Sequence, residues 1–515
     1  MTGSAHICHF SDQDPSKLLL SRLASAPQEA IFLTSEGGEI SYRDLEQATL
    51  RLRTHFQKLG MSAGKRAVVA LNGDCETIAT LLALAVLGVI ATPFDPDATE
   101  HEQRDMLHIV DPHYVIFSEQ QALHWSRTQL EETQILLEEQ VGLNLQVGNG
   151  DHPLDLEQVV DMQATMMILY TSGTTAKPKG VELSYQAILE QSQDMACHLK
   201  LERNSRILNL FRYYQIGSLV NGIYLALLSG ASLHRPFQQF NFSDGMRLLD
   251  AIHTNRISHF VLVPTLLAQL LKFPDQVKKA FSHSEFTALL STAAHLPPAL
   301  WQSFESLVEK PIVNTYGLTE ANDLTASELS LAKDRIGTVG KPLNCSIKIL
   351  SESREILEPE QQGRLLVQGK TQMQAYFNAP KMTSDVVIDG WFDTGDLAKM
   401  DLQGNLVYLG RDSERIISGG HTIHPTEVQQ QLLQHPDIAD AYVFGQPHDD
   451  WQELVAACIV KRHEELSKAE LMAYLRPLLA VYKIPRKLYF VDHIPLSDRG
   501  KVRRRDVLSM LNIQS

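Results

Sequence analysis

The chain is poor in cysteine: 515 residues carry only Cys8, Cys75, Cys197, Cys345 and Cys458, far apart and without a C-x-x-C pair. That scarcity excludes a disulfide framework and a cysteine-built zinc site, fits a reducing compartment, and makes buried free thiols the expectation for all of them. Long apolar runs are missing too. The longest, Ile78 to Ala91, is too short to span a bilayer and reads as a buried helix, so no integral membrane segment is expected. Positive charge is in deficit, with 46 Lys and Arg against 61 Asp and Glu and a formal net charge of -15. A general nucleic-acid or membrane-surface binder is thereby excluded. The cluster Lys501, Arg503, Arg504, Arg505 is a local exception, either a solvated face or a contact for phosphate. The start, MTGSAHICHFSDQDP, has no basic segment leading into an apolar run, and the end, NIQS, is not a peroxisomal address; a soluble cytoplasmic protein is the expectation. Internal repeats and low-complexity tracts are absent, and nothing in the sequence speaks to oligomeric state.

What is present is a chain too long for one ordinary core, so two or more domains are expected. Strand-like runs AVVAL (67–71), HYVIF (113–117), MMILY (166–170) and HFVLV (259–263) alternate with helical patterns such as YRDLEQATLRLRTHFQKLG. This alternation predicts an α/β fold, a large multi-layer N-terminal domain with mainly parallel sheets. The last hundred residues contain their own strands, AYVFG (441–445) and ELVAACIV (453–460), and read as a small α+β C-terminal domain. The boundary is expected in Gly410 to Ser413, giving domains 1–411 and 412–515.

The most informative segment is YTSGTTAKPKG, Tyr170 to Gly180, which follows the buried strand pattern TMMILY. Thr171, Ser172, Thr174 and Thr175 supply hydroxyl donors, Gly173 and Gly180 let backbone N–H groups approach an anion, and Lys177 and Lys179 add positive charge. The combination suits a polyphosphate. It is not a Walker loop, because no GK[ST] follows the glycine at the required spacing, and GRLLVQGKT from Gly363 is out of register by one residue.

This loop is followed in order by VNTYGLTE (313–320), GWFDTGDL (390–397), GRDSERIISGGHTIHPTE (410–427) and SDRGK (497–501). With that set of motifs the chain resembles the AMP-forming adenylating enzymes, which include acyl-CoA and aryl-CoA synthetases, the adenylation domains of peptide synthetases, and beetle luciferases. The resemblance runs from about Glu39 almost to the end. It implies ATP, Mg²⁺ and CoA as co-reactants, and a small C-terminal domain that moves over the site. It also implies roles. Lys179 and the loop hydroxyls would meet the β and γ phosphates, Tyr316 would stack on adenine, Asn314 would bond the base edge, and Thr319 would donate to phosphate beside Gly317. Glu320, with Thr175, would ligate Mg²⁺. Asp396 and Arg411 would hold the ribose, and Lys501 would bridge the carboxylate and the α-phosphate during adenylation. Ser413 would be the hinge, while Ser418, Gly419 and Gly420, with Trp451, would line the tunnel for CoA. Tyr482 and Arg486 resemble further positions near the nucleotide end of CoA.

The same resemblance places the acyl pocket in FRYYQIGSL (211–219), STAAHLPP (291–298) and YGLTEAND (316–323), with Tyr214, Gln215, Thr292, Ala293, Ala294 and Gly317 as candidates. The chain departs from the family at Ala176, where glycine is usual, at Gln215, where histidine is common, and at Ser413, where aspartate or lysine is usual. No aspartate lies in FRYYQ, which disfavours an amino-acid substrate, and Arg212 is either a carboxylate clamp or a structural stacker. An aryl or medium-chain acid transferred to CoA is the leading expectation. With 14 residues after Lys501, no fused carrier domain is expected. The alternatives are loading of a separate acyl carrier protein and a degenerate member that binds nucleotide without turnover.

Overall fold

The computed structural model describes residues 13–27, 29–118, 134–137, 159–171, 179–238, 240–241, 244–463, 465–495 and 502–513. Among them the strands form four sheets. In the first, Ile312–Leu318, Ala288–Ser291, His259–Leu262, Arg206–Asn209, Ser232–Arg235 and Ile31–Ser35 run parallel, with antiparallel strands at both edges. In the second, Thr165–Thr171, Ile90–Pro93, Arg66–Ala70, Tyr114–Phe117 and Gln134–Leu137 run parallel, and Lys179–Ser184 returns antiparallel. Strands such as His259–Leu262 and Ala288–Ser291 are buried along their whole length. Helices cover both faces of such strands, which is why they read as continuous apolar runs.

The helix Tyr42–Lys58 shows how local chemistry sets these layers. Ser41 and Asp44 form a reciprocal capping box at its start, and Leu45, Ala48, Leu52 and Phe56 give it one buried stripe. The expectation of one buried helix over Ile78 to Ala91 needs correction. The helix Asp74–Val86 ends there, and the strand Ile90–Pro93 begins four residues later. The break falls at Gly88, at φ 70°, where an added Cβ would lie 2.9 Å from Ala63 Cβ. Apolar content alone could not mark that turn. No helix among the described residues is long and apolar enough to cross a membrane.

A third, antiparallel sheet of Cys345–Leu350, Gly363–Gly369 and Trp391–Met400, flanked by Val387–Ile388 and Leu406–Arg411, adds to the mainly parallel layers. The fourth sheet lies wholly after Arg411. It pairs Gln452–Lys461 with Ile438–His448, Ile416–Ser418 and Lys487–Phe490, over a separate core of Ile416, Val428, Leu432, Val443, Val455 and Leu471. The described thiols are unpaired: Cys75 and Cys458 are buried and Cys345 half-buried, but Cys197 is exposed, against expectation. Cys8 lies outside the described residues.

Candidate active site

A cavity opens where the carboxyl ends of the two parallel sheets face one another, the usual place for a ligand in such sheets. Leu169 and Tyr170 enter from one sheet; Phe211, Tyr214, Gln215, Thr292, Ala293, Gly317 and Thr319 come from strand ends and loops of the other. Its volume is about 120 Å³. One water needs roughly 10–15 Å³ on that measure, so a group of several heavy atoms fits. Of the expected pocket residues, only Ala294 is not among its lining.

The wall Phe211 to Gln215 is held from behind. Buried Arg235 donates to Asp74 at 2.9 Å and to the carbonyls of Asn209 and Phe211, while Tyr213 donates to the same Asp74 oxygen at 2.7 Å under the guanidinium. Burial raises the Tyr213 hydroxyl well above the phenol range, with Arg235 opposing. Arg212 is not in the cavity lining. It acts electrostatically on Asp95, which is also hydrogen-bonded by Tyr214 and whose carboxyl is raised chiefly by burial.

Gly317 has a steric reason. The hairpin of Ile312–Leu318 and Asn322–Ala326 slips register after Tyr316, and a Cβ on Gly317 would stand 2.1 Å from the Asn322 carbonyl oxygen. Just beyond it, Glu320 receives the Tyr376 hydroxyl at 3.0 Å, and that hydroxyl accepts from Lys179 Nζ at 3.0 Å. Lys179 itself stands 3.8 Å from Glu320 and 4.3 Å from the centre of the Tyr376 ring. A lysine, a phenol and a carboxylate from three distant segments thus form one polar cluster. Burial, then Glu320, pushes the Tyr376 hydroxyl up out of the titrating range.

A second cluster lies on the third sheet. Asp396, 1% exposed, accepts from the Tyr316 hydroxyl and pairs with Arg411 Nε at 2.9 Å. The pairing follows from register, since Asp396 and Arg411 are directly opposite on adjacent strands. Burial works against the Arg411 charge, but Asp396 and Tyr408 outweigh it and raise its pKa. Tyr316 is buried rather than openly presented: it is 8% exposed, with the Tyr408 ring 5.5 Å away. Asn314 is also deeper than expected. It is 4% exposed and its amide Nδ2 is committed to the Thr338 carbonyl at 2.9 Å, leaving Oδ1 buried without a partner among the described residues.

After Arg411, Ser413 is exposed in a short 3₁₀ turn, Asp412–Glu414. Asp412 pairs with Arg364 and with Arg415. Ser418 to His421 form a tight hairpin turn with Gly419 at φ 55° and Gly420 at φ 80°. A Cβ on Gly419 would enter the Trp451 ring at 2.5 Å. Trp451 in turn carries the Arg486 guanidinium at 3.8 Å, and Tyr482 stacks on His421 at 4.2 Å. The structure therefore brings the glycine turn, Trp451, Tyr482 and Arg486 together. Ser172, Gly173, Thr174, Thr175, Ala176 and Lys501 lie outside the described residues, as does the Thr171 side chain.

Sequence reasoning missed Tyr376, Tyr408, Asn221, Asn322 and Asp323. The last two lay in a flagged segment, but nothing local distinguished them. Tyr376 had no signal apart from its place in a strand-like AYF.

Comparison with known proteins supplies the context for this geometry. The family model for AMP-binding enzyme matches residues 20–377, and that for the AMP-binding enzyme C-terminal domain matches residues 427–501. The 2-succinylbenzoate–CoA ligase of Bacillus subtilis is 28% identical over 498 residues, covering 95% of this chain and 96% of that protein. The indoleacetate–CoA ligase of Aromatoleum aromaticum is 30% identical over 494 residues, covering 92% and 93%. The solved o-succinylbenzoate CoA synthetase of Bacillus subtilis, in complex with its acyl-adenylate intermediate, superposes with a TM-score of 0.81 at 26% identity over 95% of this chain and 97% of that one. ATP-bound MatB from Rhodopseudomonas palustris gives a TM-score of 0.86 over 96% and 98%, and at 23% identity that likeness is one of fold.

Proposed function

We propose, because the chain belongs to the AMP-binding enzyme family, that it activates an aryl or medium-chain carboxylic acid with ATP and passes the acyl group to the thiol of CoA. In the first step a carboxylate oxygen bonds to the α-phosphorus as the bond to pyrophosphate breaks. In the second the thiolate bonds to the acyl carbon and AMP leaves. The observation that carries this reading is that two polar clusters, Lys179–Tyr376–Glu320 and Tyr316–Asp396–Arg411, flank Gly317 to Thr319, which line one largely apolar cavity.

The residues present fit the co-reactants. Asp396, opposite Arg411, is suited to accept from ribose hydroxyls, and the orphan Oδ1 of Asn314 suits an amine donor on a base. Lys179 supplies a cation for phosphate oxygens, and Thr319 a hydroxyl at the cavity edge. Glu320 is a hard oxygen ligand of the kind Mg²⁺ takes; bound there, Mg²⁺ would neutralise phosphate charge. Thr175 and Lys501 retain the roles the resemblance implies, as second metal contact and as the cation for the adenylation transition state. The chain is proposed to divide at Arg411 and Asp412, with Ser413 as pivot. For the acceptor, the Arg486–Trp451 stack beside the glycine turn favours the nucleotide of CoA over a bare carrier protein. The free thiols support a reducing, cytoplasmic setting.

The test is acid-dependent exchange of pyrophosphate into ATP across a broad panel of acids, followed by thioester formation on adding CoA. Failure of every acid in the panel to support exchange would reject the reading in favour of a nucleotide-binding protein without turnover.

A further inference from the structure

The acyl cavity has an unusual polar end. Asn221, Asn322 and Asp323 all line it, and they are 1%, 2% and 6% exposed. Asn221 lies in a π-helical turn, Leu219–Ile223, with φ -104° and ψ 15°, and such turns frequently occur at functional sites. Its Nδ2 donates to Asp323 Oδ2 at 2.6 Å. A carboxylate accepts only, so this contact fixes which end of the Asn221 amide faces away. Asn322 is fixed in the same manner. Its Nδ2 donates to the carbonyls of Ala187 and Thr371 at 3.2 and 2.9 Å, and carbonyls likewise only accept.

Both Oδ1 atoms are consequently defined acceptors, and both are buried without a partner among the described residues. Leaving such an oxygen unsatisfied costs stability, so the pair marks a place where a ligand donor belongs. Asp323 is already occupied by Asn221, Thr315 and Thr292; burial raises its carboxyl while those donors oppose the rise. The unspent acceptors are thus two neutral amide oxygens. No lysine, arginine or histidine lines the cavity among the described residues. At this end of the cavity a second carboxylate would meet acceptors and no cation.

We infer that the cavity selects an acid whose body carries a neutral hydrogen-bond donor, a hydroxyl or a ring N–H, and discriminates against an acid with a second carboxylate. This rests on the reading that the cavity holds the acyl group. Phenylacetate, 3- and 4-hydroxyphenylacetate, indole-3-acetate and 4-carboxyphenylacetate would be compared for pyrophosphate exchange, and for direct binding by calorimetry, which needs no turnover. At least one donor-bearing acid is expected to exceed phenylacetate tenfold or more in kcat/KM and in affinity, with the dicarboxylate below phenylacetate. Asn322→Gly, which tolerates the local φ of 57°, and Asn221→Leu are expected to bring that ratio toward one. Preference for phenylacetate or for the dicarboxylate in the wild-type protein would overturn the inference whether or not either variant folds, and so would failure to bind any of the acids. Selective binding without exchange would uphold it while rejecting acid activation.

Discussion

Replacing Tyr376 with phenylalanine removes one oxygen and leaves the ring under Lys179. That hydroxyl makes two contacts with charged groups, accepting from Lys179 and donating to Glu320, each at 3.0 Å. A hydrogen bond to a charged group contributes roughly 1.5–3 kcal/mol. The Lys179 and Glu320 side chains are 21% and 15% exposed and remain 3.8 Å apart as a direct pair, so water and the surviving attraction recover part of the loss. A net effect of about 1.5–2 kcal/mol on the placement of both side chains corresponds to a 10- to 30-fold rise in KM for MgATP, since 1.4 kcal/mol is tenfold. Titrating MgATP in the pyrophosphate-exchange assay reads it, with a melting curve as control. Because only one hydroxyl is deleted from a large chain, the midpoint is expected to fall by no more than about 3 °C. An unchanged KM for MgATP would refute the claim that Tyr376 sets the Lys179–Glu320 geometry, and a loss accompanied by a large fall in melting temperature would make its role structural.

Gly419→Ala forces a methyl group into the Trp451 ring at a positive φ; transfer to CoA is expected to fall at least tenfold while exchange persists, and equal loss in both assays would place the turn outside the thiol path. Ser413→Pro, which fixes φ near -65° at the proposed pivot, is expected to spare adenylate formation and slow thioester formation in single-turnover assays, and wild-type rates in both would move the pivot elsewhere. Stability is expected to fall with acid. Burial depresses His234 and His259 to about 4, so the unfolded chain binds more protons below the ordinary histidine value, and each site costs on the order of 1 kcal/mol per pH unit from about 6.5 down to 4. Chemical denaturation across that window measures it, and a flat profile would contradict the assignment of both rings as buried and neutral.

Much of the fold was legible because parallel strands covered on both faces leave long apolar runs, as at Val68 to Ala70 and His259 to Leu262. The apolar stretch from Ile78 was misread because a helix, a glycine turn and a strand can share one hydropathy. At the site, short motifs named Lys179, Glu320, Asp396 and Arg411, since each lies in a local pattern of glycine, hydroxyl and charge. What joins them was not legible. Tyr376 reaches residues 56 and 197 positions away, and Asn221 meets Asp323 across 102 positions. Contacts of that span depend on how two sheets come together, and no window of sequence carries them. Asn314 and Tyr316 were identified by pattern, but the depth of Tyr316 comes from the third sheet, through Asp396 and Tyr408, which antiparallel strands of mixed exposure do not advertise, and Asn314 is held by Thr338, 24 positions away.

In the proposed reaction an acyl-adenylate forms before the thioester. An acid labelled with ¹⁸O in both carboxylate oxygens, turned over with ATP and CoA, follows the atoms directly. The account predicts one ¹⁸O in each AMP released and none in pyrophosphate, because a carboxylate oxygen becomes bonded to the α-phosphorus and stays there when the thiol takes the acyl carbon. Label appearing in orthophosphate with ADP as the nucleotide product, or AMP released without label, would contradict it.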